Sequence, residues 1–173
     1  QNSSVLKFDL YEFKGTINPS TFYIDHFEVL DKKPLSIESS DVIHMRIDPP
    51  FDTRYTRYLW ILGALESAGV TVKNKPSAIL NNNEKLTAFC EESSLKSCIT
   101  SKVSQFEQFC EELKYDGHDN IIIKPLDLYQ GMGVEKLHLH DLSSSKKSFK
   151  ELVAVSKGPI ITQPFYEQIN AGE

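Results

Sequence analysis

No apolar run in this 173-residue chain is long enough to cross a bilayer, and no basic run exceeds the pairs Lys32–Lys33 and Lys146–Lys147. With a net charge of −5, the chain lacks the concentrated cationic face that releases counterions from nucleic acid, which argues against that class of partner. A signal-peptide pattern is also missing, although the chain opens on Gln1 rather than methionine. Cysteine is scarce. Cys90, Cys98 and Cys110 are odd in number and form no CxxC pair, which suits neither a disulfide framework nor paired zinc ligands. They read as reduced thiols on helices, and so as a sign of a cytoplasmic protein. No Ser–His or Cys–His constellation offers a nucleophile, and Ser143–Ser145, the one low-complexity patch, reads as a linker.

What is present reads as α/β. Residues 1–40 hold two alternating segments, SSVLKFDLYEFKG and HFEVLDKKPLSI, the second broken by a charged turn. DVIHM is a buried strand ending at RIDPPFD, where two adjacent prolines forbid helix and ladder alike. Thr53 is placed to cap a helix with Tyr58, Leu59, Ile61, Leu62 and Leu65 inward and Gly69 closing it. VTVKNKP then completes a β-loop-α-β unit, the raw material of a parallel sheet. Ligands of such sheets bind outside the carboxyl ends of the strands, where RIDPPFD falls. Pro76 and Asn81–Asn83 mark a boundary between a partial N-terminal α/β domain, 1–76, and an α+β domain, 77–173. In the second part, helix NEKLTAFCEE, strand SCITSK and helix VSQFEQFCEELKY lead to strand NIIIKPL. The next strand, GVEKLHLHD, pairs back antiparallel across a short glycine loop. Helix SKKSFKELVAVSK and strand PIITQPFYEQI, which runs into a connector, end the chain.

The chemistry concentrates at IIIKPLDLYQGMGV. Lys124 ends an apolar strand, a costly place for an unpaired cation, and Gly131 and Gly133 free the following loop to bring backbone amides to an oxyanion. This is no Walker loop, since no GK[ST] follows and a strand comes next. Alone, the segment reads more simply as a hairpin with an exposed lysine. Lys85, in NNNEKL beside a capping-type asparagine, reads alone as a solvated helix lysine.

Together, MRIDPPFD, NKP, NEKL and KPLD-x-Y-x-G-x-G-V in this order resemble the bacterial glutathione synthetase family of the ATP-grasp superfamily, from about Asp41 to Glu173. The resemblance implies a partial pre-ATP-grasp domain with a parallel sheet, followed by a partial ATP-grasp domain with a glycine-loop lid. It also implies an ATP-dependent carboxylate–amine ligase that joins γ-glutamylcysteine to glycine through an acyl phosphate. Lys85 and Lys124 would hold the α- and β-phosphates of ATP, and the segment from Tyr129 through Gly131 and Gly133 would close over the β- and γ-phosphates. Gln163, Pro164, Phe165 and Tyr166 would clasp adenine; proline has no N–H, so a donor must come from Phe165 or Tyr166. Glu173 would touch the ribose, and Arg46 would meet a substrate carboxylate through its bidentate fork. The family's Mg²⁺ ligands are expected beyond position 173 and its first strand before Gln1, so the chain resembles the middle of a longer protein. The family is often tetrameric, which puts a homo-oligomeric parent among the implied partners. Leu128 and Gln130 depart from the pattern, standing where related loops carry glycine. Two alternatives are another ATP-grasp amino-acid ligase and a non-catalytic nucleotide-binding module.

His138 and His140, with Asp141 adjacent, form a conceivable metal pair without a third ligand. His44 could line the substrate pocket, and Tyr55, Tyr58 and Trp60 read as helix core.

Overall fold

The computed structural model describes residues 7–21, 24–87, 89, 91 and 94–171; Cys90 and Glu173 lie outside them. Strands β1 (Lys7–Ile17) and β2 (Ile24–Ser36) form a long antiparallel hairpin. β2 runs unbroken through Asp31–Lys33, where the sequence suggested a break. A register shift leaves Leu30 without a partner, so the ladder continues past the charged residues on a bulge.

The β-loop-α-β unit forms as expected. β3 (Val42–His44) pairs parallel with β4 (Thr71–Lys73), and α1 (Thr53–Ser67) connects them. Its N-cap is Asp52 rather than Thr53, with the carboxylate accepting from the Tyr55 amide at 2.8 Å. Gly69, at φ +97°, ends the helix in the left-handed region as predicted. Met45, Tyr55 and Leu59 form a small core here, whereas Tyr58 and Trp60 are exposed. The aromatic trio is thus not all core, because the inward stripe of α1 runs through Tyr55, Leu59, Leu62 and Leu65 at helical spacing. A helix that the sequence reading missed, α2 (Pro76–Asn81), follows with Pro76 at its first position, and its Ile79 packs on the Met45–Tyr55–Leu59 cluster.

After α3 (Glu84–Thr87) come β5 (Cys98–Thr100), α4 (Val103–Tyr115), β6 (Asn120–Lys124), β7 (Glu135–His138), α5 (Leu142–Ser156) and β8 (Ile160–Pro164). Among the described residues these strands form an antiparallel sheet in the order β5-β8-β6-β7. Alternation along β6 sends Ile121 and Ile123 into a core with Phe106, Phe109 and Leu113 of α4 and Phe149 and Leu152 of α5. Phe106 and Phe149 stack there at 4.3 Å. Ser143–Ser145 is no linker: Asp141 caps α5 through the Ser144 amide at 3.0 Å, and Ser145 is buried in the first turn. Cys98 opens a strand rather than a helix.

Candidate functional site

Strand periodicity places Ile122 and Lys124 of β6 on the sheet face away from α4 and α5. Register puts Gln163 and Lys136 opposite Ile122, and Ile161 opposite Lys124, on that same face. The sheet therefore carries Lys124 and Gln163, two residues picked out from sequence, on one surface. Lys136, which sequence reasoning passed over, joins them. Its ammonium lies 3.9 Å from the Phe165 ring centroid and pairs with Glu167 at 2.7 Å.

Lys124 is half-buried. Burial pushes its ammonium below its ordinary pKa, and the charge of Lys85 pushes it further the same way. The two lysines, 39 residues apart in the chain, are thus electrostatic neighbours, and among the described residues no carboxylate forms an ion pair with Lys124. Lys85 is mostly covered, its Nζ donating to the Leu128 carbonyl at 2.8 Å and to Glu84 at 3.1 Å. α3 is only one turn long, and Asn83 caps it by accepting from the Lys85 amide at 2.9 Å.

The segment after Lys124 is stitched to the rest of the chain through three successive carbonyls. Leu126 accepts from Asn83 Nδ2 at 2.9 Å, Asp127 from the Phe51 amide at 3.2 Å, and Leu128 from Lys85. Phe51 belongs to the DPPFD loop, so this loop, the helix bearing Lys85 and the root of the glycine loop meet at one junction. A cavity of about 650 Å³ opens beside it, walled by Phe51, Tyr55, Ile79, Leu80, Lys85 and Leu128 among others. The glycine loop is compact, with Met132 N–H bonded to the Tyr129 carbonyl and Val134 N–H to that of Gly131. Gln130, Gly131 and Gly133 have φ of +52°, +76° and +70°. At Gly133 a Cβ would stand 3.0 Å from Pro125 Cγ and 3.3 Å from Leu128 Cδ1, so backbone conformation and close approach both call for glycine.

At the far end of β8, Gln163 donates to Ser97 Oγ at 2.7 Å. The Phe165 amide is already bonded to the Asn120 carbonyl at 3.0 Å, which leaves Tyr166 as the remaining backbone donor of the pair considered from sequence. The Tyr166 ring meets His118 edge-on, and Pro164 is buried in the strand. Arg46 is exposed just after β3, on the approach to the cis Pro49–Pro50 bond. The rings of His138 and His140 lie 5.3 Å apart, but among the described residues no group of three His, Cys, Asp or Glu side chains converges as a metal site. No helix of the described residues is long and apolar enough to cross a membrane.

Residues 6–79 match the prokaryotic glutathione synthetase N-terminal domain. The glutathione synthetase of Buchnera aphidicola subsp. Schizaphis graminum is 33% identical over 141 residues, covering 77% of this chain and 42% of the relative. That of Escherichia coli strain K12 is 35% identical over 133 residues, covering 72% of this chain and 40% of the relative. The chain spans about two fifths of the length of these curated relatives. The crystal structure of D-cycloserine synthetase superposes with a TM-score of 0.50 at 12% identity, over 67% of this chain and 40% of that one, a likeness of fold alone. By its N-terminal segment this chain belongs to the prokaryotic glutathione synthetase N-terminal domain family, and its similarity to bacterial glutathione synthetases runs on beyond that segment.

Proposed function

We propose that the chain supplies the ATP-phosphate and peptide-entry surfaces of a ligase that makes glutathione from γ-glutamylcysteine and glycine. The observation that carries this reading is Lys85, bonded to the Leu128 carbonyl, beside a half-buried Lys124 at the root of a glycine loop, close enough for the charge of Lys85 to act on Lys124. A half-buried ammonium with a second lysine beside it suits a polyphosphate, whose negative charge favours the charged form of Lys124. ATP enters as substrate. The C-terminal carboxylate of γ-glutamylcysteine attacks the γ-phosphorus, ADP leaves with the bridging oxygen, and an acyl phosphate forms. Glycine's amine then adds to the acyl carbon, phosphate departs, and the nitrogen loses a proton. Lys85, Lys124 and the amides of the Tyr129–Val134 loop neutralise phosphoryl oxygens, and the closed loop excludes water that would hydrolyse the acyl phosphate.

Arg46 receives the peptide's carboxylate, and Gln163 to Tyr166 face adenine, with the Tyr166 amide as donor. Glu173, outside the described residues, is assigned to the ribose by resemblance alone. Mg²⁺ belongs to the same reading, where it would neutralise phosphoryl charge, and no residue of this chain is assigned to hold it. The division into a substrate-side and an ATP-grasp part is retained, with the junction set at Asn81–Asn83 because Ile79 packs on the first core. An odd number of cysteines without a CxxC pair supports a cytoplasmic setting.

The test is phosphate release from ATP by the full-length protein carrying this chain. Release that requires both γ-glutamylcysteine and glycine supports the reading. Release with a different carboxylate substrate assigns another ligase of the superfamily. Gln130 at φ +52°, where related loops carry glycine, favours one further reading, a module that binds ATP without turnover. Its signature is ADP binding with no product.

A further inference from the structure

We infer that Asn83 is a positioning residue for nucleotide phosphates, setting the Lys85 ammonium and the base of the glycine loop at a fixed separation. This rests on the proposed nucleotide site. The side-chain amide of Asn83 works in two directions at once. Its oxygen accepts from the Lys85 backbone, and its nitrogen donates to the Leu126 carbonyl, 43 residues further along the chain. Its backbone carbonyl accepts from the amides of Leu86 and Thr87 and from Thr87 Oγ1. Such a group ties a one-turn helix, too short to hold its own shape, to the strand end that carries the other lysine.

Without the Leu126 bond, the one hydrogen bond left among the described residues from this helix to the 126–128 carbonyls is that from Lys85 Nζ itself. The ammonium would then have to serve as structural tether and as phosphate ligand together. With Asn83 in place, two of its three protons are free to turn from Glu84 and solvent toward an anion while the third stays on Leu128. The arrangement serves the phosphate end of a nucleotide and leaves the adenine end untouched.

The experiment compares ADP and adenosine binding, by calorimetric titration, to the chain and to Asn83→Ser. Serine is an equally good cap for the Lys85 amide but is too short to reach Leu126. The expected result is ADP affinity reduced about tenfold, the scale of one lost hydrogen bond, with affinity for adenosine, which carries no phosphate, within about twofold of the parent. A melting temperature within about 3 °C of the parent establishes that the fold is retained. Should serine fail that criterion, Asn83→Thr, a second short neutral cap, takes its place. Unchanged ADP affinity, or equal losses for ADP and adenosine, overturns the positioning role. Lys124→Ala is measured beside it, and ADP affinity left unchanged by this replacement removes the nucleotide site itself, as does an unsubstituted chain that binds no ADP.

Discussion

Lys124 concentrates the chemistry at the scale of single residues. Its ammonium is held below its ordinary pKa by burial first and by Lys85 second, so the folded chain binds this proton less tightly than the unfolded chain does. The resulting penalty on stability is fully present below the lowered value and is relieved as pH rises through it toward the unfolded value. A bound polyphosphate reverses the balance by favouring the charged form. Titrations of ADP in two buffers of different ionisation enthalpy should therefore show proton uptake in that alkaline window, with affinity falling as pH rises across it. No uptake would mean that Lys124 does not face the ligand. Truncation, Lys124→Ala, should weaken ADP binding by about tenfold to a hundredfold, the worth of a charge-assisted hydrogen bond. Cys110 offers a contrast, because burial pushes its thiol up to about 12 and leaves it a poor nucleophile. Both lysines were legible in the sequence through the KPLD and NEKL motifs. Asn83 was visible there as a cap, but its bond to Leu126 was not, since a 43-residue separation carries no local signal.

At the scale of elements, turns and caps follow local rules closely enough to be tested one by one. Gly133→Ala should destabilise the chain by about 1–2 kcal/mol from the left-handed backbone alone, and by more if Pro125 cannot yield. Gly131 has a similar φ but open space around it, so Gly131→Ala should cost less. Urea midpoints of the two variants make the comparison, and equal losses would place the cost in the backbone rather than in the contact with Pro125. At α1, Asp52→Ala should cost about 1 kcal/mol, while Thr53→Ala should cost little. The sequence reading set the cap one residue late because Asp52 and Thr53 are both good caps, and the backbone chooses which of them stays extended. Missing α2 has a related cause. Pro76 reads equally as a boundary and as a first helical residue, and the packing of Ile79 on the first core decides for helix.

For the whole molecule, two separate cores imply two responses to damage. Phe106, fully buried against Phe149, should cost about 3–5 kcal/mol when truncated to alanine. Hydrogen exchange of that variant should show protection lost across β5, β6 and β8 and kept in α1, where Leu59 anchors the other cluster. Equal loss in α1 would mean one cooperative unit and would count against the division proposed at Asn81–Asn83. The same division frames Arg46→Ala in the full-length protein. That change should raise the KM for γ-glutamylcysteine severalfold and leave ADP affinity unaltered.

By itself the sequence determined the order of elements other than α2, the β-loop-α-β unit, the antiparallel return after Lys124 and the family resemblance, because periodicity, proline, glycine and short motifs act over a few residues. Tertiary structure alone decided that Lys85 and Lys124 are neighbours, that three successive carbonyls join Asn83, the DPPFD loop and Lys85 to the root of the glycine loop, and that Trp60 faces outward. Those outcomes depend on which surfaces meet across dozens of residues, and burial, register and charge repulsion take their values only once the chain has closed on itself.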